Sequence, residues 1–268
     1  MHTKINQDNP HGYDRWGFAW EHVPAEGAAH LDFGCNDGAF LDTLKHKGIG
    51  RLVGADISGS AIEQGQRAFP KLELVRISEA SKLPFADCAF DSATILDALE
   101  HVYEQRELLC ELNRVLKDGG RLIVTVPGRH LFSFLDMGNF KFRFPRLHRW
   151  HYCRRHSRQE YEDRYVANAE GLVGDISARK LWHEHFGRGR LGRLLEEAGF
   201  EVIDFDGSGF FRRVTFLASY PLRGIRVIRR VLSRLENLDA RLFESANLFC
   251  VAAKQGHTAG ARQSGRGH

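Results

Sequence analysis

The chain has 268 residues, of which 43% are hydrophobic, enough for a sizeable buried core. Its formal net charge of +4 is too small to indicate nucleic-acid binding by itself, and its five cysteines form no C-x-x-C pair, which argues against a disulfide framework and a cysteine-rich zinc site. No apolar run approaches the ~20 residues that cross a bilayer, and no secretory signal is evident, so we expect a cytoplasmic protein.

Short apolar strands alternate with helical patterns over the first half of the chain, which predicts a parallel sheet with helices on both faces. The predicted strands are residues 29–33, 52–56, 72–77, 91–96, 121–126, 201–205 and 247–253. The predicted helices are residues 39–47, 60–69, 103–116 and 190–198. After the third helix comes KDGG (117–120), where we expect Gly119 or Gly120 to end the helix in the left-handed conformation.

Residues 128–186 interrupt this alternation. They are rich in aromatic, histidine and arginine side chains, too long for an ordinary connection and too apolar for a disordered one. We therefore interpret them as a lid over a substrate. Core packing is expected for most of five aromatic side chains in this segment, which are Phe140, Phe142, Phe144, Trp150 and Tyr152.

A second interruption, residues 210–245, contains a basic amphipathic helix. Its apolar positions recur at helical spacing, namely Ile225, Ile228, Leu232, Leu235, Leu238 and Leu242. On the opposite face lie Arg226, Arg230 and Arg234. Such a helix can lie on an anionic membrane, form a dimer interface or pack on the sheet, and the pattern leaves these alternatives open.

These features predict one domain over residues 1–255 that carries both insertions. Residues 256–268 have almost no apolar side chains and cannot repay the entropy of ordering, so we expect a disordered tail there.

The stretch HLDFGCNDGAF (30–40) predicts a ligand site directly after the first strand. Gly34 allows a sharp turn, and Gly38 lets the following helix approach a ligand without a side chain in between. Asp56 ends the next strand, where a carboxylate commonly accepts hydrogen bonds from ribose hydroxyls. Because Asn36 and Ala39 stand where G-x-G-x-x-G requires glycines, the dinucleotide fingerprint is poor, but an adenosine-containing cofactor is indicated.

Further motifs follow in order along the chain. They are LDFGCNDG (31–38), VGADIS (53–58), SEASKLPFADCAFD (78–91), LDALEHV (96–102), LNRVLKDGGRLIVTVP (112–127) and, more weakly, LGRLLEEAGFEVID (191–204). This series resembles the class I S-adenosylmethionine-dependent methyltransferases, in particular their small-molecule, type 11-like branch. The resemblance implies a Rossmann-like, doubly wound α/β fold with a mostly parallel seven-stranded sheet, helices on both faces and an inserted lid.

The resemblance also implies S-adenosylmethionine as the cofactor and assigns its site. The residues implied in cofactor binding are Asp32 near the amino group, Gly34, Asn36 and Gly38 under the methionine part, Asp56 at the ribose, Ile57, Glu79 and Ala80 at the adenine, and Asp97 at the opening toward the substrate. Asn36 replaces the usual middle glycine, and Asp118 replaces the usual proline of the L-K-P-G-G turn. Neither departure is expected to abolish binding.

A hydroxyl acceptor must lose its proton during methyl transfer, and histidine is the usual base for that step. The candidates are His101, His151 and His185, with His148, His156 and His183 as further lid histidines. His101 can equally brace its loop. The clustered lid histidines can be read as a metal site, but we expect a polar, stacking wall for substrate and no metal.

The lid arginines suit an acceptor that carries phosphate or carboxylate groups; they are Arg143, Arg146, Arg149, Arg154 and Arg155. We expect O- or N-methylation of a small molecule: a sugar, glycolipid or natural-product intermediate. Alternatives are a quinone or lipid methyltransferase at a membrane surface, an RNA methyltransferase and a catalytically silent cofactor-binding partner. No nucleic-acid partner is expected, and a monomer or a homodimer fits the sequence.

Overall fold

The computed structural model describes residues 15–25, 29–135, 139–166, 184–211 and 246–256. Within the second insertion it also describes Ile228, Val231, Leu232, Arg234, Leu235, Leu238 and Asp239. Seven strands form one sheet. They are β1 (Ala29–Phe33), β2 (Arg51–Asp56), β3 (Glu73–Arg76), β4 (Phe90–Leu96), β5 (Leu116–Pro127), β6 (Phe200–Ser208) and β7 (Asn247–Lys254).

The strand order is β3-β2-β1-β4-β5-β7-β6. The first five strands pair in parallel, and β7 is antiparallel to both β5 and β6. The predicted doubly wound, mostly parallel sheet is therefore confirmed, and all seven predicted strands occur. Apolar side chains dominate the central strands because both faces of the sheet are covered.

The continuous ranges in the described part of the chain contain eight α-helices. They are α1 (Arg15–His22), α2 (Ala39–Leu44), α3 (Gly59–Ala68), α4 (Gln105–Val115), α5 (Phe140–Arg143), α6 (Pro145–Tyr152), α7 (Arg158–Tyr165) and α8 (Arg188–Glu197). Of these, α1 to α4 and α8 pack on the sheet, and α5 to α7 belong to the lid segment. Helices α4 and α8 pack in one buried cluster with Leu122 and Val124, whereas α1, α2 and α3 pack in a second cluster with Ile123. Successive residues of β5 thus serve opposite cores, as the two-residue period of a strand requires.

The predicted end of α4 is wrong. The helix stops at Val115, and the buried Leu116 is already extended and paired with Phe90 in the sheet. Gly119 does have a positive φ of 73°, but it lies where the β4–β5 register shifts, inside the span of β5. Because the chain pairs with β4 directly after the helix, no left-handed glycine ends the helix.

Helix α1 was not predicted. Its Phe18 is buried and stacks on Phe249 of β7, with ring centroids 5.1 Å apart. Trp16 contacts Phe40 of α2 at 5.7 Å. The eight-residue helix is too short for a clear periodic signal and is stabilised by these tertiary contacts.

The lid segment contains α5, α6 and α7, and its base is closed by a parallel bridge between Gly128 and Phe186. A small aromatic cluster joins α6 to α7, formed by His148, Tyr152, Tyr161 and Tyr165. Phe144 and Trp150 are 54% and 59% exposed, so the expected core packing is wrong for these two side chains. Short helices bury only one narrow face each, which leaves the other face in water.

Seven described positions of the second insertion, from Ile228 to Asp239, are helical. From residue 257 onward, the predicted tail lies outside the described part of the chain. The predicted domain boundaries stay a prediction. No helix in the described part of the chain is long and apolar enough to cross a membrane.

Gly65 on α3 permits a close contact with the turn after β1. A Cβ at this position would overlap the Asp37 carbonyl oxygen and lie 2.6 Å from Leu74 Cδ1. We expect Gly65→Ala to lower the free energy of unfolding by about 1–3 kcal/mol through overpacking, measured by chemical denaturation.

The matched control is Gly189→Ala in α8, where a Cβ would meet only the far end of Arg193 at 3.8 Å. This substitution is expected to stabilise the protein by up to about 1 kcal/mol. Equal effects of the two substitutions would contradict the predicted packing of α3.

Candidate functional site

The topology of the sheet places a crevice between β1 and β4. From β1 the chain continues to β2 and β3 on one side and then returns to β4 on the other. The loops that follow β1 and β4 therefore diverge at the same edge of the sheet. In open α/β sheets, ligands bind at this reversal point, outside the carboxyl ends of the strands.

The turn after β1 is built from left-handed residues. Gly34, Asn36 and Gly38 have φ values of 75°, 51° and 80°. A Cβ on Gly34 would lie 2.7 Å from the Cβ of Ala98, so only glycine lets this turn approach the loop after β4. Asparagine tolerates the left-handed region better than most residues, which explains how Asn36 replaces the usual glycine.

Asp56 at the end of β2 supports the same turn. One carboxylate oxygen accepts the Asn36 backbone N–H at 2.8 Å, and the other accepts that of Ser58 at 2.9 Å. Ser58 in turn caps α3 by accepting the Ala61 N–H. Because an ionised carboxylate offers about four acceptor positions, Asp56 retains capacity for ligand hydroxyls.

Asp32 in β1 is 2% exposed, and its carboxylate accepts a hydrogen bond from Thr94 of β4 at 2.7 Å. Burial raises the pKa of Asp32 to about 7, and the nearby Asp56 adds to this rise. The Thr94 hydroxyl and the Arg15 charge act in the opposite direction on this pKa. Such a carboxylate is well suited to bind a cationic group.

Asp97 directly follows β4 and has a φ of 50°. Its backbone N–H donates to the Thr125 carbonyl at 2.9 Å, and the Thr125 hydroxyl donates to its carboxylate at 2.8 Å. Arg15, at the start of α1, donates to the other carboxylate oxygen at 2.5 Å. The sequence gives no signal for this ion pair, which brings α1 to the site.

The predicted adenine-binding residues follow β2 and β3 at the same edge. Ile57 is 44% exposed although it is apolar, as expected of a side chain available to an adenine ring. Glu79 is exposed, and Ala80 packs against the buried core. The predicted set therefore surrounds the carboxyl ends of four neighbouring strands.

The three candidate bases lie in different surroundings. His101 ends a short 3-10 helix after β4, with its Nε2 atom 3.8 Å from Glu100 Oε1. His185 is half-buried, and its segment is joined to that loop by Gln105, which donates to Glu184 at 2.8 Å and to the Leu99 carbonyl at 3.2 Å. His151 is exposed on α6.

The remaining lid histidines and arginines are partly engaged within the lid. His148 Nδ1 lies 3.2 Å from the Tyr161 hydroxyl, and burial lowers the pKa of His148. Arg149 pairs with Glu162, and Arg154 lies over the Trp150 ring at 4.9 Å. The further lid arginines are exposed: Arg143, Arg146 and Arg155. His156 is exposed on the lid, and His183 lies outside the described residues.

Within the described part of the chain, no group of three or more His, Cys, Asp or Glu side chains could hold a metal ion.

Comparison with known proteins relates part of the chain to a domain family. Residues 31–124 match a family described as a methyltransferase domain. A demethylmenaquinone methyltransferase of Symbiobacterium thermophilum is 34% identical over 119 residues, which cover 42% of this chain and 47% of that protein. A 37.1 kDa protein of a Streptomyces fradiae transposon is 30% identical over 181 residues, which cover 66% of this chain and 44% of that protein. The chain therefore spans less than half the length of these curated relatives.

Among solved structures, an S-adenosylmethionine-dependent methyltransferase of Methanosarcina mazei matches with a TM-score of 0.56 at 20% identity, covering 89% of this chain and 97% of that one. One from Mesorhizobium loti matches with the same TM-score at 17% identity, covering 89% and 97%. Fold, motifs and family match agree. Residues 31–124 are a class I S-adenosylmethionine-dependent methyltransferase domain, and its cofactor is S-adenosylmethionine.

The residues present fit this cofactor. Asp56 has acceptor capacity for ribose hydroxyls, and the buried carboxylate of Asp32 could hold an ammonium group. The exposed Ile57 offers an apolar surface for adenine.

The raised pKa of Asp32 leads to a prediction about stability. The folded protein binds this proton more tightly than the unfolded chain, so the contribution of Asp32 to the stability of the cofactor-free protein falls as the pH rises from about 4 to about 7. Asp32→Asn removes the titration. We expect the melting temperature of the variant, relative to the wild type, to increase steadily over this pH range, as measured by differential scanning calorimetry.

Asp163→Asn on α7 is the control, because Asp163 is exposed and accepts a hydrogen bond from Gln159 at the surface. A pH-independent difference between Asp32→Asn and the wild type would show that burial does not perturb Asp32.

Proposed function

We propose that the whole protein is an enzyme that transfers a methyl group from S-adenosylmethionine to an oxygen or nitrogen of a small molecule. The observation that carries the proposal is the convergence of the left-handed turn, Asp32, Asp56 and Asp97 at the reversal point of the sheet. When bound, the cofactor supplies an electrophilic methyl group on its sulfonium. Positioning of the acceptor then supplies much of the rate enhancement.

For a hydroxyl acceptor, the proton would pass to a histidine while the oxygen takes the methyl group. The bond between the methyl group and the sulfonium sulfur would break, which would release S-adenosylhomocysteine. We assign His101 as the base, with His185 and His151 as alternatives. His101 is favoured because it lies four residues after Asp97 on the loop that follows β4, and Glu100 nearby can stabilise the imidazolium that forms. An amine acceptor needs only its neutral form and no such base.

We expect an acceptor that combines an apolar part with an anionic group, such as a glycolipid or a natural-product intermediate; a sugar remains within the proposal. The exposed side chains of the lid support this class. Phe144, Leu147 and Trp150 are 54%, 49% and 59% exposed, and the exposed Arg146 lies among them in sequence. Arginine forks suit phosphate and carboxylate groups.

A quinone or lipid acceptor at a membrane surface is a second candidate, supported by the second insertion. Asp239 is buried and accepts the backbone N–H groups of Phe210 and Phe211 at 2.9 and 3.0 Å. Among the other described helical positions of this insertion, Val231 and Leu235 are each 50% exposed. The insertion is thus held at Asp239 while apolar side chains remain in water, as in an interfacial helix.

The cofactor assignment is tested by calorimetry with S-adenosylhomocysteine, the product of the cofactor. We expect Asp56→Asn to weaken its binding by more than about tenfold, because hydrogen bonds to an ionised carboxylate contribute ~1.5–3 kcal/mol each. Asparagine still accepts a backbone N–H and preserves the turn better than alanine would.

Asp42→Asn on α2 is the matched control, since Asp42 pairs at the surface with Lys45, and its affinity should equal that of the wild type. Unchanged affinity in a folded Asp56→Asn variant would place the ribose elsewhere. Failure of the wild type to bind would contradict the proposed function.

Membrane contact is tested by sedimentation with anionic phosphatidylglycerol vesicles and neutral phosphatidylcholine vesicles. We expect binding to anionic vesicles at low salt, weakened at high salt because each arginine near anionic lipid contributes about 1 kcal/mol. A triple variant that replaces three half-exposed side chains should remain in solution, namely Val231→Ser, Leu235→Ser and Leu238→Ser.

The control is Ile203→Ser, which changes an equally exposed apolar side chain on β6 and should bind as the wild type does. Negligible binding to both vesicle types at low salt would exclude the membrane-surface candidate and leave a folded or dimer-forming helix.

A further inference from the structure

Four buried polar side chains form a continuous row between β1 and β4. His30 Nδ1 lies 2.8 Å from Ser92 Oγ, His30 Nε2 lies 3.0 Å from Thr94 Oγ1, and Thr94 Oγ1 lies 2.7 Å from Asp32 Oδ1. His30, Ser92 and Thr94 are 0% exposed. The strand register pairs His30 with Ser92 and Asp32 with Thr94, so the row lies on one face of the two strands.

Hydrogen-bond chemistry assigns a direction to this row. An ionised Asp32 only accepts, so the single proton of the Thr94 hydroxyl is donated to it. The Thr94 oxygen must then accept from His30, which carries a proton on Nε2. Burial lowers the pKa of His30 to about 3, so its ring is neutral near pH 7 and its unprotonated Nδ1 accepts from the Ser92 hydroxyl.

We propose that His30 and Thr94 are positioning residues, which hold Asp32 in the orientation and ionised state that bind the ammonium group of the cofactor's methionine part. The proposal rests on the proposed function, because it requires the cofactor at this site. His30 acts only through Thr94, and neither residue needs to touch a ligand.

The charges around Asp32 explain why such support is needed. Asp56 on β2 opposes the ionisation of Asp32. Arg15 on α1, which forms an ion pair with Asp97, favours it. The direct donor from Thr94 is the other group that favours the charged form. Molecules in which Asp32 is protonated must release this proton to solvent when the ammonium group binds. The affinity for a ligand with an ammonium group should therefore increase with pH through about 7.

A merely structural role predicts a different result. If the row only holds β1 beside β4, its loss should affect every ligand of the crevice alike. If it serves the ammonium, its loss should affect only ligands that carry this group. The pair S-adenosylhomocysteine and 5′-methylthioadenosine separates the two cases, since the second has the adenosine and sulfur without the ammonium and carboxylate.

The experiment is calorimetry of both ligands with Thr94→Val, a variant of nearly the same shape that lacks the hydroxyl. We expect the Kd of S-adenosylhomocysteine to rise about tenfold or more and that of methylthioadenosine to change less than about twofold. Thr94→Ser should restore the wild-type affinity. Thr43→Val is the matched control, because the Thr43 hydroxyl donates to the Phe40 carbonyl within α2.

The pH profile provides a second readout. Between about pH 5.5 and about pH 7.5, the wild-type affinity for S-adenosylhomocysteine should rise, and in Thr94→Val the midpoint should move to higher pH because the donor that favours the charged form is lost. The affinity for methylthioadenosine should stay constant.

Equal weakening of both ligands, or unchanged binding of S-adenosylhomocysteine by folded Thr94→Val, would overturn the proposal. If Thr94→Val does not fold, Thr94→Cys replaces it, with a weaker donor and the same expected direction; wild-type affinity in that variant would also overturn the proposal. Absence of binding of either ligand by the wild type is a separate outcome that contradicts the proposed function itself.

Discussion

The close approach of Gly34 to Ala98 is the constraint on which the site depends. A side chain on Gly34 would lie 2.7 Å from the Ala98 Cβ, so the turn after β1 and the loop after β4 meet only because position 34 has none. The turn is left-handed at three positions, and the Asn36 N–H donates to Asp56. This turn lies at the reversal point of the sheet, where open α/β sheets bind their ligands.

The site brings three carboxylates close together, although burial and mutual repulsion both disfavour their charged forms. Asp32 is buried, and Asp56 and Asp97 lie nearby on neighbouring strand ends. Each carboxylate is stabilised in a different way: by the Thr94 hydroxyl, by two backbone N–H groups, and by Thr125 with Arg15. Burying a carboxylate costs free energy unless it is hydrogen-bonded, so these donors are what allow three acidic groups to coexist.

The insertions differ from the sheet in how their side chains are used. Core strands bury apolar residues on both faces, whereas the lid helices and the helix around Asp239 leave large apolar side chains half-exposed. An exposed apolar surface is typical of contact with a partner or an apolar ligand. The proposed acceptor class is based on these segments, whereas the proposed cofactor site is based on the sheet and its strand ends.

The local pattern of apolar and turn residues was sufficient to predict the strands of the core. The seven strands follow from apolar runs and turn residues, and the turn at 34–38 and Asp56 follow from their order along the chain. These features depend on neighbours close in sequence, which is why the residues alone predict them. The end of α4 was misjudged because pairing of Leu116 with Phe90 overrides the local preference of KDGG.

Only the tertiary structure decided which side chains meet. Arg15 and Asp97 are 82 residues apart, and His30 and Thr94 are 64 apart, so no local pattern links either pair. The register between β1 and β4 decides that a histidine in an apolar strand faces Ser92 and Thr94, and a one-residue slip would turn it to the other face. By itself, the sequence determined the cofactor class and the strand-end carboxylates, because these depend on residue type and order. The donors that stabilise these carboxylates were decided by strand register and by the docking of α1, since hydrogen bonds form only between groups that folding brings within reach.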